Sequence, residues 1–212
     1  MTIFKDKKEL INGIISDQDI VLDVGFYGQG VPIDAQNWVH GLLLKKAKEV
    51  YGVDVKYDKE SFPGNHYVAQ SAENIDIEGK KFDVIFAGDL IEHLLNPGLF
   101  LDSSKKHLKE GGRLIITTPN TFNLFNLTEK LTKTDPTVNY DHTIYLNPKT
   151  IGQMLKKAGW RLERVDYVYT LGVKYNESWK KKLLNLAYKI LSLFTPKYIE
   201  TMAVTASRDD LV

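Results

Sequence analysis

One run of residues narrows the possible folds more than any other: Val21-Leu22-Asp23-Val24-Gly25-Phe26-Tyr27-Gly28-Gln29-Gly30. A short β-rich stretch, Ile20 to Val24, runs into three glycines, and a helical pattern follows from Ala35 to Glu49. Glycines there let the backbone turn sharply and approach a ligand where a side chain would collide. A strand, a glycine turn and a helix in that order form the entry to an open parallel sheet that binds a nucleotide-like ligand. Taken alone the run also fits an ordinary glycine-rich turn. Two acids sharpen it. Asp54 ends the next strand, Val50 to Asp54, where a carboxylate can accept the two hydroxyls of an adenosine ribose. Asp23 precedes the first glycine, where an anionic pyrophosphate would be repelled and a cationic ligand would be favoured.

The rest of the chain alternates strand and helix. His66 to Gln70 reads as a weak strand and Phe82 to Ala87, nearly all apolar, as a strand buried on both faces. Pro97 to Lys109 reads as a helix with Asn96 as N-cap, ended by Gly111 and Gly112. Arg113 to Thr118 reads as a fifth strand. Residues 119–146 are rich in Asn, Thr and Asp and too long for a simple connection, so they are expected to act as a lid over an acceptor. A helix over Pro148 to Ala158, a strand over Arg161 to Thr170, a helix over Glu177 to Phe194 and a strand over Tyr198 to Ser207 complete the pattern. At 212 residues this is one domain: a cofactor half over 1–118, the lid over 119–146 and a strand-helix-strand ending over 147–212. Only 19 residues precede the first of these strands, so the N-terminus is expected to offer little cover.

Five segments resemble, in order, the motifs of class I S-adenosylmethionine-dependent methyltransferases. They are VLDVGFYGQG; Tyr51-Gly52-Val53-Asp54; Gln70-Ser71-Ala72-Glu73; Phe82-Asp83-Val84-Ile85-Phe86-Ala87-Gly88-Asp89-Leu90-Ile91-Glu92-His93; and Leu108 through Asn120. The first departs from the family's spacing by one extra place at Phe26-Tyr27, and Ser71 stands where the family often has an acid. The resemblance implies a Rossmann-like, doubly wound α/β fold with a seven-stranded, mostly parallel sheet. Its last strand would be antiparallel, with helices on both faces. It also implies S-adenosylmethionine as cofactor, whose sulfonium and ammonium suit Asp23. The cofactor residues it implies are Asp23, Gly25, Phe26, Gly28, Gly30, Asp54, Val55, Ser71, Ala72, Glu73, Gly88, Asp89 and Leu90.

The chemistry is expected after the fourth of these strands. Asp89 and Glu92 would share a helix face with His93 alongside, and His142 in the polar segment would lie over the acceptor as general base. His93 and His142 are therefore the catalytic candidates. In the family's ubiquinone-biosynthesis and RNA 3′-end members, Glu-x-x-Glu-His holds a metal. The resemblance thus offers Asp89, Glu92, His93 and His142 as a divalent site, not the favoured reading, and the shorter Asp89 and the missing basic stripe count against the RNA-end variant. Tyr27, Phe26, Phe122 and Phe125 are candidate pocket walls. His40, His66 and His107 show no constellation around them, and the last two read as exposed.

Composition trims the alternatives. Twenty-eight Lys and Arg against 27 Asp and Glu leave a net charge of +1, so no bulk basic footprint favours nucleic acid. With no cysteine there is no disulfide, thiolate nucleophile or Cys-ligated zinc. MTIFKDKKEL lacks the apolar core of a signal peptide, and the expected location is the cytoplasm. The basic, apolar helix over 179–194 could rest on an anionic membrane, but a helix packed on the sheet is the favoured reading. The expected function is methylation by S-adenosylmethionine, at oxygen, of a small molecule or glycan. The alternatives are a non-catalytic S-adenosylmethionine or nucleotide-binding module, a metal-assisted enzyme of RNA ends, and a nicotinamide dehydrogenase, which Asp23 disfavours.

Overall fold

The computed structural model describes residues 1–27, 32, 35–64, 66–132, 139–170, 188, 190 and 195–209. The strands are β1 (Ile3–Phe4), β2 (Ile20–Val24), β3 (Glu49–Val53), β4 (Tyr67–Val68), β5 (Phe82–Gly88), β6 (Leu108–Pro119), β7 (Trp160–Val168) and β8 (Thr201–Arg208). The helices are α1 (Lys7–Ile14), α2 (Val39–Lys46), α3 (Pro97–His107), α4 (Leu124–Thr132) and α5 (Pro148–Lys157). All eight strands form one sheet in the order β1-β7-β8-β6-β5-β2-β3-β4. Every pairing is parallel except those of β8, which is antiparallel to both β6 and β7. The seven strands expected from the sequence are present with the antiparallel strand inserted as anticipated, and β1 adds an eighth at the edge.

Strands that carry apolar residues at nearly every position must be covered on both sides. In β2, Leu22 and Val24 face one apolar layer with Phe100, Leu101, Ile151, Leu155 and Trp160. Val21 faces the other, with Leu10, Ile11, Val39 and Leu43 from α1 and α2. Chain order reverses at β2, whose neighbours are β3 on one side and β5 on the other. The loops leaving the carboxyl ends of these strands therefore open a crevice, the usual ligand position in such sheets.

Several boundaries differ from the sequence reading. The helix expected over 35–49 is shortened to Val39–Lys46, because Glu49 already pairs with Ile20 and Lys48 N–H donates to the Asp19 carbonyl at 3.0 Å. Asn96 does precede α3, but its side chain makes no cap bond. Its backbone and amide N–H groups donate instead to the Glu73 carboxylate, at 2.8 and 3.3 Å. The segment over 119–146 is not all loop, since α4 occupies Leu124–Thr132. The N-terminus is structured. Asp6 accepts from Glu9 N–H at 2.7 Å, Glu9 accepts from Lys5 N–H at 2.6 Å, and Leu10, Ile11 and Ile14 are buried. Asp6 as N-cap, followed by Glu9 and an apolar run, was a legible helix start. The helix expected over 177–194 lies outside the described residues except at Tyr188 and Ile190. Among the described residues, no helix is long and apolar enough to cross a membrane.

One glycine is fixed by packing. A Cβ on Gly52 would stand 2.6 Å from the Phe26 ring, which lies directly against β3. Gly52→Ala must push that buried ring aside, and we expect a loss of about 1–3 kcal/mol. Gly98 in α3 faces open space, so Gly98→Ala should gain about 0.5–1 kcal/mol from helix propensity. Urea denaturation of the two variants checks the pair.

Candidate active site

The turn after β2 is built around Gly25. Its φ of +80° suits glycine, its N–H donates to the Val53 carbonyl at 2.7 Å, and a Cβ there would lie 3.0 Å from Leu90. One residue thus ties together the carboxyl ends of β2, β3 and β5. Gly28 and Gly30 lie outside the described residues. Asp54, just past β3, is 8% exposed. Its oxygens accept from Tyr27 N–H at 2.9 Å and Lys56 N–H at 2.8 Å, and burial raises its carboxyl above the ordinary value. Each oxygen retains a second acceptor position. Val55 beside it is exposed.

Asp23 is buried, and its Oδ2 lies 3.0 Å from Nδ1 of the equally buried His40. Among the described residues, Oδ1 has no hydrogen-bond partner. His40, which the sequence left without a constellation, is thereby placed at the centre of one. The residue type and its place on the helix after the glycine turn were the available signals. Phe26 is fully buried among Tyr27, His40, Tyr57, Phe62 and Tyr67, so its ring is core and not a pocket wall. Phe122 is exposed, and Phe125 packs on Tyr188.

Ser71 caps the turn Ala72–Asn74, accepting from Glu73 N–H at 3.2 Å, while Ala72 packs into the core and Glu73 holds Asn96. His66 is exposed as expected. His107 is not: it is buried, with its ring nitrogens 3.0 and 3.3 Å from the Ile75 and Lys80 carbonyls. The Asn of Thr118-Pro119-Asn120 is fully buried, and its amide donates to the Lys197 and Ile199 carbonyls at 2.7 and 3.0 Å.

The residues after β5 separate into two groups. Gly88 is buried in the strand, and Asp89 follows with φ +49°. Asp89 accepts from Thr117 O–H at 2.9 Å and is ion-paired with Lys7 of α1. The expected helix is only a single 3-10 turn, Ile91–His93. It points Glu92 inward to 2% exposure, where Oε2 accepts from Thr118 O–H at 2.9 Å and Oε1 has no partner among the described residues. Thr143 N–H donates to the Glu92 carbonyl at 2.8 Å, docking the polar segment against the turn. That contact sets the His142 ring edge-on to His93, with centroids 4.7 Å apart. Donor atoms of Glu92, His93 and His142 all lie within 4.8 Å of one another, and Asp89 is not among them. Burial, then the negative charge of Asp89, pushes the Glu92 carboxyl up to about 8. Burial and then His93 lower His142.

The methyltransferase-domain family model matches residues 9–165. This chain belongs to that family. Its fold is that of the class I S-adenosylmethionine-dependent methyltransferases. A SAM-dependent methyltransferase from Aquifex aeolicus has a TM-score of 0.59 at 18% identity, over 96% of this chain and 89% of its own. A Burkholderia thailandensis 1,6-didemethyltoxoflavin-N1-methyltransferase, solved with that substrate and S-adenosylhomocysteine, also scores 0.59, at 15% identity over 96% and 77%. Among curated relatives, the ubiquinone biosynthesis O-methyltransferase of Bartonella bacilliformis is 29% identical over 59% of this chain and 52% of its own length. That of Xylella fastidiosa is 29% identical over 76% and 66%. The chain thus spans about half to two thirds of the length of these relatives.

For this methyltransferase-domain chain the raised Glu92 value has a thermodynamic consequence. A carboxyl ordinarily near 4.5 that sits near 8 when folded binds its proton more tightly in the native state. Its contribution to stability therefore falls as pH rises through that window, at up to roughly 1.4 kcal/mol per pH unit. In the presence of a chelator, Glu92→Gln should match the wild type below pH 4.5 and exceed it by about 1–3 kcal/mol at pH 8. Thermal melts across pH check the sign.

Proposed function

We propose that the chain is an S-adenosylmethionine-dependent O-methyltransferase acting on a small molecule, with a glycan hydroxyl as the other acceptor class. The observation that carries this reading is the placement, on one sheet edge, of two buried carboxylates beside a glycine turn and of the Glu92, His93 and His142 trio. The residues fit the cofactor on their own terms: Gly25 makes the turn at φ +80° at the carboxyl end of β2, Asp54 has spare acceptor positions, and among the described residues Asp23 keeps an unpartnered oxygen. Asp54 would hold the ribose hydroxyls, Asp23 with Gly25 and Gly28 the methionine end, and Ser71 to Glu73 with Val55 the adenine side. Bound there, S-adenosylmethionine supplies a methyl already activated by a positive sulfonium.

Much of the rate then comes from holding the acceptor hydroxyl in line, and a base is needed to take its proton. His142 fills that role. Its lowered value keeps the imidazole neutral at physiological pH, and the His93 ring edge fixes its position. A second reading is supported by the orphaned Oε1 of Glu92: one carboxylate and two imidazoles form a donor set for a divalent cation, which would orient the hydroxyl and lower its pKa. The names of the curated relatives support a small-molecule hydroxyl acceptor. Nucleic acid is not favoured, and the proposed location is the cytoplasm.

Transfer of label from S-adenosylmethionine into a metabolite or glycan extract, with the product identified by mass spectrometry, tests the activity. Asp54→Ala should weaken S-adenosylhomocysteine binding by about 1.5–3 kcal/mol in calorimetry. His142→Gln should lower turnover roughly 100-fold while leaving that affinity unchanged. Chelation of the wild type separates the two readings. Full activity leaves His142 as the base, and a loss restored by magnesium or manganese assigns the trio to a cation.

A further inference from the structure

Asp23 sits one residue before the end of β2, on the face that α2 covers, next to the glycine turn. It is 1% exposed, and among the described residues no lysine or arginine pairs with it. Among the described residues its one side-chain partner is His40. A buried carboxylate that lacks a full set of donors is destabilising, and an apolar residue would pack there at lower cost. Oδ1 is therefore an acceptor reserved for something that arrives with a proton or a positive charge. Asp54 stands close enough that Asp23 raises its carboxyl further, so the two acids together favour a cation in the crevice.

His40 is held from its other side. Its Nε2 lies 3.3 Å from the Tyr67 hydroxyl. Burial pushes that phenol above its ordinary value, so it stays a neutral O–H donor. With its proton on Nδ1, the imidazole donates to Asp23 Oδ2 at 3.0 Å and accepts from Tyr67 O–H at Nε2. Phe26, Trp38 and Phe62 pack around the imidazole.

We propose that His40 and Tyr67 are positioning residues: the relay from the Tyr67 hydroxyl through the His40 imidazole fixes the Asp23 carboxylate so that Oδ1 accepts from the ammonium group of the cofactor's methionine end. This rests on the cofactor reading given above. His40 and Tyr67 touch no ligand, and they act only through the rotamer and charge of Asp23.

Calorimetry with two probes tests it: S-adenosylhomocysteine, and its deaminated analogue, which lacks only the α-ammonium. The wild type should prefer the first. His40→Leu should lose roughly tenfold on S-adenosylhomocysteine and nothing on the analogue, collapsing the preference. His40→Asn, which keeps an N–H near the Nδ1 position, should restore most of it. Tyr67→Phe removes one oxygen from a half-buried ring and should lose about threefold on S-adenosylhomocysteine alone. Equal losses on both probes, or none on either, in Tyr67→Phe overturn the proposal and leave the relay a packing feature, as does a His40→Asn variant that binds S-adenosylhomocysteine no better than His40→Leu. A wild type that binds neither probe overturns the cofactor reading itself and this inference with it.

Discussion

The parallel pairing of β2 with β3 on one side and β5 on the other is the constraint from which the rest of the molecule follows. It aligns three carboxyl ends, and at that edge Gly25 bonds to Val53 and packs against Leu90. A parallel sheet needs crossover connections, and those connections bury both faces. The polar groups at the end of β2 are consequently caught between a dry interior and an open edge. Asp23 is buried there and Asp54 nearly so, each with acceptor capacity unused. In an ordinary core this would be a defect. At the switch point of a doubly wound sheet, where such folds take their ligands, it is the acceptor capacity that the proposed cofactor site would use.

The second half of the edge depends on a different device. The 3-10 turn after β5 is too short to behave as a helix, and this shortness turns Glu92 inward beneath Thr118. The Thr143 backbone then locks the polar segment onto the same turn and carries His142 to His93. Asp89 is drawn away by Lys7, so the N-terminal helix contributes a charge to the edge of the site. A raised Glu92 and a lowered His142, brought together from distant parts of the chain, are two titratable groups moved from their ordinary values by their surroundings, an arrangement typical of functional sites.

Aromatic packing links the two halves of the cofactor edge to the core. Phe26 lies over Gly52, and Tyr27, Tyr57, Phe62 and Tyr67 surround it. Trp38 donates its indole N–H to the Phe26 carbonyl at 3.1 Å, tying the start of α2 to the glycine turn. The extra place that Phe26-Tyr27 introduces is therefore a rigid insertion: one ring fills the core and the next residue's N–H reaches Asp54.

The alternation of strands and helices and the glycine turn were legible in the sequence, because they depend on local patterns: β-branched runs, glycine at a required turn, and acids at strand ends; the antiparallel last strand came from the family resemblance. What needed the tertiary structure was every relation between residues far apart in the chain. No periodicity tells that His40 faces Asp23, that Phe26 needs a glycine opposite it, that Lys7 draws Asp89 away, or that Asn120 serves the C-terminal strand rather than a ligand. The same holds for α2, whose ends were set by the register of Glu49 with Ile20 against a helix pattern that ran further. Sequence determines which groups a strand or turn can present, since backbone sterics and burial act on neighbours. Which of those groups are desolvated, paired or left with an empty acceptor was decided only by how the layers closed over them, since electrostatics acts through space and takes no account of order along the chain.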